Sequence, residues 1–228
     1  WVDFVYTYWH ADRVRGMSLN AFTRDYQKWC KRAGYNFSPT KAKEVYEASA
    51  DLIAILPKDD MTKMLIRQAI EALNTVSSAV ETLRIKMNET AATLPEYPVV
   101  MGMRGVGPSL GPQLIAEIGD VTRFEKRGSL IAYAGVDPGT DDSGDRNRKS
   151  VPTSKKGSPH LRKTLFQIMD ILIKTAPVGD PVYDFLDQKR SENKPYYVYM
   201  TAGMNKFLRI YYGRVNEYLS QLEEAEES

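Results

Sequence analysis

Apolar side chains recur along this chain at intervals of three and four residues and never alternate strictly over a useful length, so the pattern predicts an all-α fold. Ser18 is placed to cap a helix running to about Arg32 and closed by Gly34. Ser38-Pro39 opens another through about Ile55, which Pro57 stops. These form an N-terminal helical segment, residues 1–57. Residues 58–94 then carry a sustained heptad: Ile66, Leu73, Val80, Met87 and Leu94 fall seven apart, with Ala69, Val76, Leu83 and Thr90 three further on. That spacing predicts a long coiled-coil-like helix, ~50 Å at ~1.5 Å per residue. Its apolar stripe either packs on its own domain or joins a second copy of the chain, making a homo-oligomer. Pro95 and Pro98 end it, and residues 95–222 read as a further helical domain.

Within that domain, Gly105-Val106-Gly107-Pro108, followed by the small Gly111 and then Leu114 and Ile115, has the pattern of a helix-hairpin-helix. Glycines make the tight turn, and amides at the start of the second helix bind a DNA phosphate without reading sequence. The same pattern also occurs in plain helical hairpins. A short helix is expected at about Gly128 to Ala134. A stronger one is entered by Ser158-Pro159, with Leu161, Leu165, Ile168, Met169 and Leu172 on one face. Asp180-Pro181 starts another helix, and residues from about Tyr196 to Leu222 form the last.

Between them lies GTDDSGDRNRKSVPTSKKGSPHLRK, residues 139–163, whose only apolar side chains apart from prolines are Val151 and Leu161. A segment this polar cannot pack a core; its charges repel, and an irregular, mobile loop is expected from about Gly139 to Ser158. Residues 146–163 hold seven Lys/Arg and no acid, whereas the end of the chain reads LEEAEES, an acidic tail over 223–228. The basic block points to phosphate, and Arg146, Arg148, Lys149, Lys155 and Lys156 are candidate DNA phosphate contacts beside Gly105 and Gly107.

The 228 residues, 43% hydrophobic and 26% charged, suit a folded chain of one or two domains. The one cysteine, Cys30, excludes an internal disulfide and a cysteine-based zinc site. It reads as a buried thiol in a reducing setting, so a cytoplasmic location is expected. No apolar run approaches the ~18 residues of a membrane span. Asp120, Asp137, Asp141, Asp142 and Asp145 match no metal-ligand spacing, and several are turn or cap residues, so no metal site is expected here. The opening WVDFVYTYW reads as the middle of a longer protein, and a fragment or partly observed chain is expected.

The runs GVGPSLGPQLIAEIGDVTRFEKRGSLIAYAGVDP, DSG, SKKGSPHLRKTLF and YYVYMTAGMNKFLRIYY, in that order, resemble the C-terminal domain of the IS one-ten (IS116/IS902-like) insertion-sequence transposases, the bridge-RNA-guided recombinases. The likeness covers about residues 95–220. It implies a two-part active site: a RuvC-like domain with four carboxylates that hold Mg2+, and a C-terminal domain whose serine attacks the scissile DNA phosphate. The matching serine is Ser143, in Asp142-Ser143-Gly144. Double-stranded DNA and a guide (bridge) RNA are the partners implied, with no cofactor in this segment. No RuvC-like stretch precedes residue 95, so this chain alone is expected to be inactive.

By residue type alone, Ser143-Gly144 is a turn or a nucleophile. A serine hydroxyl needs a base or metal to take its proton, and attack on a phosphodiester needs positive groups for the developing charge. The competing expectation is a non-catalytic helix-hairpin-helix module that binds DNA or RNA and dimerises.

Overall fold

The computed structural model describes residues 1–137 and 153–226. Among them there are helices and turns and no strand, so the fold is all-α as the periodicity predicts. The chain forms two compact units, Trp1–Glu81 and Thr82–Ser228. No helix of the described residues is long and apolar enough to cross a membrane.

The first unit contains α1 (Val2–Thr7), α2 (Asp12–Arg15), α3 (Leu19–Ala33), α4 (Pro39–Ala50) and the first part of α5 (Asp60–Ala91). Ser18 caps α3 by accepting from the Ala21 amide at 3.3 Å, and Gly34 closes it at φ 76°. Ser38 caps α4 through the Lys41 amide, with Pro39 in the first turn. The core is aromatic: Tyr8, Phe22 and Trp29 pack with Val14, Cys30 and Ala42, and Tyr26 stacks on both Phe22 and Trp29. The predicted extension of α4 to Ile55 fails; the helix ends at Ala50. Two side chains account for the difference. Arg15 Nη1 donates to the Leu52 carbonyl at 2.9 Å, and buried His10 bonds through Nε2 to the Leu56 carbonyl at 3.1 Å. Those carbonyls are thereby satisfied without a helix, and Pro57 disfavours helical backbone at Leu56.

Helix α5 occupies most of the predicted heptad segment, with Asp59 accepting from the Thr62 amide at its start. Ile70 is buried and Ile66 half-buried, but the stripe beyond them is not covered: Leu73 and Val80 are 40% and 42% exposed, Val76 and Leu83 61% and 63%.

The second unit adds α6 (Tyr97–Met101), α7 (Leu110–Ile118), a 3-10 turn at Val121–Arg123, α8 (Arg127–Ala134), α9 (Pro159–Thr175), α10 (Pro181–Ser191) and α11 (Tyr196–Glu226). Ser158 caps α9 through the Leu161 amide, and Asp180 caps α10 through the amides of Val182 and Tyr183. Leu161, Leu165, Ile168, Met169 and Leu172 are completely buried, so α9 is the central element, against α7, α8, α10 and α11. Gly203 permits α10 to close on α11: a Cβ there would lie 2.4 Å from Leu186 Cδ2 and 2.9 Å from Met169 Sδ. Tyr211 of α11 is fully buried, and its hydroxyl has no hydrogen-bond partner among the described residues. Burial first, and the charge of Glu96 second, push its phenol well above the ordinary range.

Gly213 lies inside α11 with open space where a Cβ would stand. Glycine in a helix interior costs roughly 0.5–1 kcal/mol relative to alanine. Gly213→Ala is therefore expected to stabilise the chain by about that amount, measured as a shift of the chemical-denaturation midpoint.

Candidate nucleic-acid interface

The polar stretch lies in the sequence between α8 and α9. Residues 138–152 lie outside the described residues, and with them Ser143, Arg146, Arg148 and Lys149, together with most of the loop expected to be mobile. Both ends of the excursion are described. Helix α8 ends at Ala134, where its last carbonyls lose their intrahelical partners. Five consecutive carbonyls are then answered from elsewhere. Tyr133 O accepts from the Ser158 amide at 2.7 Å, Gly135 O from the Lys155 amide at 3.2 Å, and Asp137 O from the Ser154 amide at 3.0 Å. Ala134 O accepts from Arg162 Nη1 at 3.0 Å, and Val136 O from Asn205 Nδ2 at 2.6 Å. The Ser154 hydroxyl also donates to the Asp137 carboxylate at 2.5 Å. The returning segment, α9 and α11 thus all meet the end of α8.

Two glycines make this possible. Gly135 is left-handed at φ 66°, and a Cβ on it would lie 2.6 Å from Arg162 Nη1 and 2.7 Å from the Gly157 amide. A Cβ on Gly157 would lie 2.0 Å from Tyr133 O. Lys155 takes a left-handed φ of 52°, a cost of about 1 kcal/mol that the hydrogen bond its amide donates to the Gly135 carbonyl offsets. Lys155 and Lys156 are exposed, and neither has an ion-pair partner among the described residues. Arg162, counted from the sequence within the basic block, is instead engaged with α8, and its neighbour His160 is exposed in the first turn of α9.

The second candidate element is the glycine turn between α6 and α7. Gly105 has φ 78°, and a Cβ there would meet Leu172 Cγ at 3.0 Å and Ile168 O at 3.2 Å, so it faces α9. Gly107 has open space around it, and its carbonyl accepts from the Gly111 amide at 2.8 Å. Gly111 lets α7 approach α6, since a Cβ on it would lie 2.4 Å from Met101 Sδ. Ser109, at the start of α7, makes no side-chain cap; the Gly111 amide is taken by Gly107 and Pro112 has none, so of the first three residues of the helix only Leu110 offers an amide to an outside acceptor. Exposed Arg104 stands on the same turn, above a groove of about 710 Å3 that runs to Ile171, Thr175 and Pro177. The sequence pattern of glycines located this turn but missed Arg104.

Among the described residues no three His, Cys, Asp or Glu side chains come together as metal ligands. Asp120 caps the 3-10 turn: the Thr122 hydroxyl and amide bond its carboxylate at 2.7 and 2.9 Å and hold it below the usual carboxylate range.

Residues 97–184 match the model of the transposase IS116/IS110/IS902 family. That match starts with α6, covers the glycine turn and the whole polar excursion, and ends in the first turn of α10. Over 118 residues the chain is also 26% identical to a protein of Streptomyces clavuligerus described as "Insertion element IS116 uncharacterized 44.8 kDa protein". That likeness covers 52% of this chain and 30% of the relative. The second unit is therefore similar to a transposase domain over most of the elements that flank the polar segment.

The clasp makes its own prediction. Gly157→Ala would drive a methyl group into the Tyr133 carbonyl, and overpacking against backbone costs about 1–3 kcal/mol or more. Thermal unfolding of that variant is expected at a clearly lower midpoint than that of the unsubstituted chain.

Proposed function

We propose that this chain is the part of an IS116/IS110/IS902-type transposase that grips double-stranded DNA and supplies the serine nucleophile, Ser143. The observation that carries the reading is that Ser143 lies inside the family match, in a segment whose two ends are clasped by five carbonyl hydrogen bonds with Lys155 and Lys156 exposed beside them. In this reading the α6–α7 turn acts as a helix-hairpin-helix. The Leu110 amide that begins α7, with Gly107 opening the approach, holds one backbone phosphate. Gly105 keeps the turn tight against α9. Arg146, Arg148, Lys149, Lys155 and Lys156 neutralise neighbouring phosphates and the charge that develops during attack.

Attack forms a bond between Ser143 Oγ and phosphorus as the phosphorus–oxygen bond to the leaving deoxyribose breaks. The hydroxyl proton passes to a base, for which Asp141 and Asp142 are the carboxylates adjacent in sequence. The resemblance implies Mg2+ on four carboxylates of a RuvC-like domain. In this reading the ion's charge stabilisation would come from that other domain. A guide RNA presents the same phosphate chemistry to the same basic groups. Acting on genomic DNA, the protein would work in the cytoplasm. The exposed stripe on α5 joins a second copy, since heptad spacing with uncovered Leu73, Val76, Val80 and Leu83 is what a coiled-coil partner requires.

Ser143→Ala, in a protein that joins this segment to the RuvC-like domain, is expected to abolish strand cleavage while duplex binding persists. Unchanged cleavage would leave the non-catalytic DNA- or RNA-binding module as the better account. Replacing Arg146, Arg148 and Lys149 with Ala should weaken all duplexes alike and lower the salt slope by about 0.9 for each lost phosphate contact. A slope that does not move would make the polar stretch a linker.

Charged substitutions Leu73→Glu and Val80→Glu on α5 are expected to shift the solution mass to that of a single chain. An unchanged dimeric mass would place the self-contact elsewhere.

A further inference from the structure

The first unit contains a cleft that none of the preceding chemistry uses. It has a volume of about 460 Å3 and is lined by Tyr6, Trp9, Arg13, Arg32, Lys63 and Arg67, which come from α1, α2, α3, α5 and the turn after α1. No acidic residue lines it. None of its four cations has an ion-pair partner among the described residues. Cations on a solvated helix face ordinarily alternate with acids, as Lys41 with Glu44 and Lys43 with Glu47 do on α4. Four that converge on one concavity without a counter-charge instead make a positive focus.

Two donors buried behind the walls are unanswered. Trp9 is 8% exposed, and its Nε1 has no hydrogen-bond partner; Arg67 Nε is buried and likewise unanswered. Trp29, also on the wall, is satisfied through the Thr7 hydroxyl at 3.1 Å, so an unanswered indole is not a general property of the cleft. Buried donors without acceptors are rare, because each costs about 1–3 kcal/mol. The Arg67 guanidinium lies over the Tyr6 ring at 4.8 Å, and Tyr6 remains 39% exposed, which leaves an aromatic surface at the rim. Phosphate oxygens are the counter-charge that the four unpaired cations call for, and an exposed ring beside them suits a base. The volume falls in the ~300–1,000 Å3 range of small-ligand sites, and only an unpaired nucleotide offers its base faces freely.

We propose that this cleft seats one unpaired nucleotide of a single-stranded nucleic acid, its phosphate held by Arg13, Arg32, Lys63 and Arg67 and its base against Tyr6. The site stands entirely on first-unit residues and does not depend on Ser143 or on the polar segment of the second unit.

All three tryptophans of the chain, Trp1, Trp9 and Trp29, belong to the first unit, so intrinsic tryptophan emission reports this unit alone. The test titrates the full chain with oligothymidylate and oligouridylate of about ten nucleotides, with a duplex, and with inorganic phosphate. Saturable quenching by the single strands, at affinities at least about tenfold above those of the duplex and of phosphate, is expected. Tighter binding of oligouridylate would assign the cleft to RNA, and tighter binding of oligothymidylate to DNA. Arg13→Ala with Arg32→Ala, both exposed positions, should weaken single-strand binding at least about tenfold and lower the salt slope by about 1.4, two contacts' worth on a single strand. Tyr6→Leu should weaken it at least about fivefold with the salt slope unchanged. The Arg146, Arg148 and Lys149 triple substitution should leave the quenching as it was, which separates this site from the second unit's grip on DNA. Quenching that is absent, equal with the duplex or with phosphate alone, or indifferent to both the arginine pair and Tyr6→Leu would overturn the proposal.

Discussion

The second unit depends on the point where the chain passes twice through the same gap. A helix that stops at Ala134 leaves carbonyls that must find donors, and a long polar segment cannot supply apolar contacts to hold itself in place. Both requirements are met at once. The amides of Ser154, Lys155 and Ser158 run back along the end of α8, while Arg162 and Asn205 answer the two carbonyls in between. Glycine at 135 and at 157 is what brings the two backbones close enough. Those bonds reach from α8 to the start of α9 and to the middle of α11, so the mouth of the polar segment is continuous with the core of the unit.

That continuity sets where rigidity lies. Leu161, Leu165, Ile168 and Leu172 anchor α9 from its first turn to its last, and Gly105 rests the glycine turn on Ile168 and Leu172. The turn and the mouth of the excursion are therefore supported by one buried helix. On the function proposed above, two elements on a common rigid support would meet a nucleic-acid backbone in a fixed relation, which is how backbone contacts give register without sequence information.

Local chemistry made much of this legible in the residues. Ser18, Ser38, Ser158 and Asp180 each cap the helix that their position announces, because capping needs only a hydroxyl or carboxylate two or three residues before an amide. The apolar spacing of α9 and the heptad of α5 were equally plain. Features that depend on distant partners were not. The end of α4 is set by His10 and Arg15, which lie 46 and 37 residues from the carbonyls they bind. The clasp joins Tyr133 to Ser158 and Val136 to Asn205, and its trace in the sequence was a pair of glycines bracketing a polar run. The basic cleft gathers residues 6 to 67, each of which reads alone as an ordinary surface arginine, lysine or core aromatic.

Cys30 is 1% exposed and packs among Phe22, Trp29 and Ala42. It is the only sulfhydryl in the sequence, and a thiol sealed in an aromatic core is out of an oxidant's reach. Whatever assembly this chain enters is thus built without sulfur bridges from its own residues. Its population follows mass action, so the same contacts that form at high local concentration come apart on dilution.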